Sequence, residues 1–81
     1  MSSADAQLIA SLIRDVPDWP KPGVVFKDIT PLVADSDGLK AAVRALADTA
    51  PGRIDVVVGM EARGFIFGAP VAIELGAGFV P

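Results

Sequence analysis

The chain predicts an α/β fold built on a parallel sheet, and three observations carry that expectation. The run Ile54-Asp55-Val56-Val57-Val58 is apolar and mostly β-branched, as a buried strand should be. Residues 65–75 follow it with a helical pattern after a glycine-bounded turn, and Gly78-Phe79-Val80-Pro81 opens a second apolar run beyond that helix. Strand, helix, strand is the βαβ order, whose strands lie side by side and parallel.

Composition limits the rest. Eighty-one residues make one domain at most, and a chain this short buries only about 60–65% of its unfolded surface. Yet 52% of the residues are hydrophobic and the mean hydropathy is +0.52, so some apolar surface should need a partner. Seven Lys and Arg are scattered among ten Asp and Glu, for a net charge of −3, which leaves no basic footprint for nucleic acid. The absence of Cys and His excludes thiolate and imidazole chemistry and offers no histidine metal site. No stretch approaches the ~20 apolar residues of a membrane span, nor is there a basic, then apolar signal at the N-terminus. A cytoplasmic location is the expectation.

Taken in order, Ser2, Ser3 and Asp5 suit a helix start, and Leu8, Ile9, Leu12, Ile13 and Val16 keep helical spacing up to Pro17. Residues 17–23, with three prolines and a glycine, exclude regular structure. Trp19 and the apolar Val24-Val25-Phe26 favour a packed loop over a solvated linker. Residues 24–30 alternate weakly and are stopped by Pro31, as in a short edge strand. A second helix is capped around Asp35-Ser36-Asp37-Gly38 and carries Leu39, Ala42, Val43 and Leu46 toward Pro51. The third helix ends at Leu75, with Gly76 as its left-handed stop. The second strand of the βαβ unit begins at Gly78 and is cut short, so the chain reads as part of a longer one.

The turn Gly59-Met60-Glu61-Ala62-Arg63-Gly64 joins strand to helix. Turn amides and the free N–H groups of a helix start favour an anion at such a junction, and Arg63 adds a cation. A P-loop would need Lys and then Ser or Thr after Gly64, where Phe65 and Ile66 stand. The dinucleotide fingerprint fails as well. Spacing alone leaves two readings: a phosphate or pyrophosphate pocket, or a tight structural turn with Arg63 as a solvated charge.

Two segments together resemble one family. Asp-Trp-Pro-Lys-Pro-Gly-Val-Val-Phe-Lys-Asp-Ile-Thr-Pro at 18–31 and Val-Val-Gly-Met-Glu-Ala-Arg-Gly-Phe-Ile-Phe-Gly at 57–68 resemble the adenine phosphoribosyltransferases of the type I phosphoribosyltransferase family. The resemblance implies a truncated type I fold: a helix and adenine-binding hood over residues 1–34, then the start of the core over 35–81. It implies the reaction of adenine with phosphoribosyl pyrophosphate to AMP and pyrophosphate, with Mg²⁺ carried on the substrate and a homodimer in the complete enzyme. Phe26 matches the residue that stacks on the purine, and the backbones of Val25 and Lys27 match those that read its edge. Met60, Glu61, Ala62, Arg63 and Gly64 match the pyrophosphate loop, often with a cis bond between the positions of Glu61 and Ala62. Arg63 matches the catalytic arginine at the base and pyrophosphate site, and no residue here matches a metal ligand.

Departures are local. Lys27 stands where arginine is usual, Glu61 where aspartate is commoner and Ala62 where serine is commoner. Asp28 reads first as a turn or capping carboxylate and second as an acid. The family's phosphoribosyl-binding segment and its lid are expected beyond residue 81, so the piece alone is expected to be inactive. Two other classes stay open: a non-catalytic purine-binding or regulatory module, and an interaction fragment completed by a second polypeptide.

Overall fold

A computed structural model of the chain describes all residues, Met1–Pro81. It divides into two compact units, Ser2–Ala42 and Val43–Pro81, the latter also taking in Met1.

In the first unit, helix α1 (Ser3–Ser11) starts where Ser2 Oγ accepts the Asp5 amide at 3.0 Å, a side-chain cap on an otherwise unpaired N–H. It does not run on to Pro17. The chain leaves the helix at Leu12, and strand β1 (Arg14–Pro17) pairs antiparallel with β2 (Val25–Asp28), Arg14 facing Asp28 and Val16 facing Phe26. The helical spacing of Ile13 and Val16 was fortuitous; both are β-branched, and cross-strand partners decided their conformation.

The connecting loop is held by its own hydrogen bonds. Trp19 N donates to Val24 O at 3.1 Å, Val24 N to Lys21 O at 3.2 Å, and Gly23 N to Asp18 Oδ1 at 3.0 Å. Trp19 nevertheless remains 56% exposed, so the packing expected of its ring is not realised.

Helix α2 (Thr30–Ala34) was not anticipated, because Pro31 reads as a stop. Proline sits in its first turn, where the missing N–H has no intrahelical acceptor anyway. Helix α3 (Ser36–Ala47) opens as expected: Asp35 Oδ2 accepts from Gly38 N at 2.8 Å. A Cβ at Gly38 would press into Leu12 Cδ1 at 2.6 Å and Leu32 O at 3.0 Å. Leu32, Ala41 and Ala42 form the buried centre of this unit.

The second unit is the βαβ motif: β3 (Val56–Val58), α4 (Arg63–Leu75) and β4 (Gly78–Val80), with β3 and β4 parallel. Gly76 closes α4 at φ 68, a left-handed geometry that glycine adopts without a Cβ clash. Pro70 lies inside the helix.

Strand β3 is shorter than residues 54–58 and is not buried as expected. Val56 is 51% and Val58 70% exposed, because β3 pairs with β4 alone and these alternate residues share one open face with Val80.

Candidate functional site

Strand β3 delivers the chain into the turn at Gly59, whose N–H donates to Val80 O at 3.1 Å and so binds the turn to β4. Gly59 and Gly64 are in contact. A Cβ on Gly59 would strike the Gly64 carbonyl oxygen, and one on Gly64 would lie 2.9 Å from the Gly59 carbonyl carbon. Their spacing therefore serves a backbone pinch. The Phe79 ring fills the space beneath it, against Gly59 and Gly68. No sequence signal had singled out Phe79, whose aromatic ring fits only because both positions lack side chains.

Between the two glycines, Met60, Glu61, Ala62 and Arg63 are exposed, and the Glu61–Ala62 peptide is cis. Helix α4 begins at Arg63, two residues earlier than its apolar pattern suggests, with Ala62 at the cap and no side-chain cap bond. The N–H groups of its first turn therefore have no side-chain acceptor, and the helix dipole favours an anion in front of them. Arg63 stands in that first turn with its guanidinium free of any carboxylate. Backbone donors and one exposed cation on a pinched turn are the makings of an oxyanion or phosphate cradle.

The other candidate segment lies on the β1–β2 hairpin of the first unit. Phe26 is half-buried opposite Val16, while Val25 is 54% exposed. Strand β2 pairs with β1 alone, so alternate residues turn their N–H and C=O groups to an edge without a strand partner. Val25 and Lys27, two apart, share one such orientation. Lys27 Nζ meets Asp15 Oδ1 at 2.6 Å, and these two side chains line a shallow concavity with Ala10 and Ile13. The Lys27 ammonium pairs within its own hairpin, with both side chains more than half exposed.

Asp28 ends the hairpin as a structural carboxylate. Its Oδ1 accepts from Thr30 N at 3.0 Å and Thr30 Oγ1 at 2.8 Å, and its Oδ2 accepts from Arg14 Nη2 at 2.7 Å. The Thr30 amide first, and then Arg14 and the Thr30 hydroxyl, hold its pKa down at about 2. A general acid at neutral pH needs the opposite shift. Arg14 and Asp15 had drawn no attention in the sequence, because both fell inside what looked like helix one. No three carboxylates converge anywhere as a metal site, and no helix is long and apolar enough to cross a membrane.

No family model matches the chain, but relatives do. It is 69% identical over 74 residues to the adenine phosphoribosyltransferase of Cutibacterium acnes, covering 91% of this chain and 42% of that protein. Among solved structures, the adenine phosphoribosyltransferase of Thermoanaerobacter pseudethanolicus superposes with a TM-score of 0.82 at 47% identity, over 94% of this chain and 46% of that one. The Saccharomyces cerevisiae enzyme, solved with adenine and an imino-altritol bisphosphate, gives 0.86 at 30% identity, over 99% and 50%. The chain spans under half the length of the curated relatives it matches, 41–47%. By sequence and backbone alike, the chain matches the N-terminal portion of adenine phosphoribosyltransferases and shares their type I fold.

Proposed function

We propose that the chain supplies the base-holding and pyrophosphate-holding segments of an adenine phosphoribosyltransferase, which joins adenine to phosphoribosyl pyrophosphate to give AMP and pyrophosphate in purine salvage. The observation that carries this reading is the 69% identity to an enzyme of that name across nine-tenths of the chain. The chemistry suits a chain without His or Cys. The bond from the ribose carbon to the pyrophosphate oxygen breaks through an oxocarbenium-like state while the adenine nitrogen, giving up its proton to solvent, closes on the same carbon, so no protein nucleophile is required. What is required is charge aimed at the leaving group and a base held in line.

In this reading Phe26 stacks on adenine, and the main chains of Val25 and Lys27 read its edge. The turn from Met60 through Glu61 and Ala62 to Gly64 holds pyrophosphate, with Arg63 offsetting the charge that grows on it. Magnesium arrives on the phosphoribosyl pyrophosphate, whose phosphates supply most of its ligands. A homodimer in the cytoplasm completes the proposal. The open face of Val56, Val58 and Val80 favours one second reading, a fragment whose sheet is completed by another polypeptide.

The test is a chimera in which residues 1–81 replace the matching portion of the Cutibacterium acnes relative. It should form AMP from adenine and leave hypoxanthine and guanine unused. A cooperatively folded chimera that uses none of the three bases, or all equally, rejects the reading.

A further inference from the structure

Four donors converge on one carboxylate in the first unit. Besides Arg14 Nη2 and the two Thr30 groups, Arg14 Nε donates to Asp28 Oδ2 at 3.1 Å. The Asp28 side chain is only 13% exposed. It is tied on one side to β1 and on the other to the first residue of α2. Side chains alternate along a strand, so Asp28 and Phe26 share one face of β2 and meet Arg14 and Val16 across the ladder. The Asp15–Lys27 pair occupies the opposite face. Any well-matched cross-strand pair would hold a hairpin together, and a guanidinium as exposed as that of Arg14, 66%, adds little to global stability. Its distinctive effect is to fix the end of β2 two residues from Phe26.

We propose that Arg14 is a positioning residue for the base: by clamping Asp28, it holds Phe26 in its stacking orientation before adenine arrives. Preorganisation of this kind raises affinity by lowering the ordering cost of binding. The inference rests on Phe26 being adenine's stacking partner.

In the same chimera, Arg14→Leu should raise the KM for adenine about 3- to 10-fold, with the KM for phosphoribosyl pyrophosphate and the melting temperature unmoved. Arg14→Lys, which keeps one donor and the charge, should recover part of the loss. A second readout separates positioning from packing. Adenine is uncharged near neutral pH, so at saturating phosphoribosyl pyrophosphate, salt should act on its KM through the Arg14–Asp28 pair. Raising salt should therefore raise the adenine KM of the unmodified chimera and leave that of Arg14→Leu flat. An unchanged adenine KM in Arg14→Leu, or a rise in both KM values with a lower melting temperature, overturns the proposal. Phe26→Ala serves as the control. If it raises the adenine KM while Arg14→Leu does nothing, this inference alone fails; if Phe26→Ala also does nothing, the stacking reading fails and the role of Arg14 with it.

Discussion

Gly59 and Gly64 touch through their backbones, and neither has room for a Cβ. The turn that carries Arg63 is therefore shaped by two absent side chains. Gly59→Ala forces its methyl onto the Gly64 carbonyl and leaves it 2.7 Å from the Phe79 ring. Overpacking of this kind costs about 1–3 kcal/mol, which lowers the melting temperature of a small domain by on the order of 10 °C. Gly52→Ala meets nothing within 4 Å and should melt like the parent. Thermal denaturation of the two variants side by side checks the contact.

Acid should loosen the hairpin in a defined window. The Asp28 pKa is lowered from an ordinary 3.8 to about 2 in the folded chain, so its ionised form is favoured by folding. The sign follows: this contribution is complete above about pH 4 and is lost as pH falls through about 2. Asp28→Asn should remove that part of the acid dependence. Circular dichroism across pH 5 to ~1.5 on both forms measures it, and coincident acid curves would count against the assigned cause.

The exposed apolar side chains of the second unit give a third expectation. Val58 is 70%, Met60 82% and Ile73 81% exposed, and exposed apolar surface promotes association in water. The isolated 81-residue chain should sediment with a mass that grows with concentration, and Val58→Lys with Ile73→Lys should reduce that growth. A concentration-independent monomer would show that these side chains tolerate solvent.

Much of this was legible in the residues. Helix α3 announced itself through Asp35 and its apolar spacing, and α4 through Gly76. Both signals act within a few residues, where chain chemistry decides conformation directly. The hairpin was harder to see. Residues 13–16 satisfied a helical period by coincidence, and only pairing with residues 25–28 revealed β1, an interaction across the proline-rich loop that no local window contains. Pro31 misled in the same way: proline stops a strand and starts a helix equally well. Strand β3 looked buried because its residues suit burial, whereas actual burial depends on what covers each face. At the candidate site, Arg63 stood out by its charge and setting, and Phe26 through the resemblance carried by residues 18–31. Arg14 did not, since its meaning lies in Asp28.

The central claim is a division of labour, with the hairpin taking the base and the turn taking pyrophosphate, and the KM values of two variants test it most directly. In the chimera, Phe26→Ala should raise the KM for adenine about 10- to 100-fold, the usual worth of base stacking, and leave that for phosphoribosyl pyrophosphate nearly unmoved. Arg63→Ala should do the reverse, raising the phosphoribosyl pyrophosphate KM or lowering kcat by about 10- to 100-fold through loss of a charge-assisted contact. Crossed effects at an unchanged melting temperature are the predicted result. Parallel effects on both substrates, or a lowered melting temperature with adenine affinity preserved in Phe26→Ala, would contradict it.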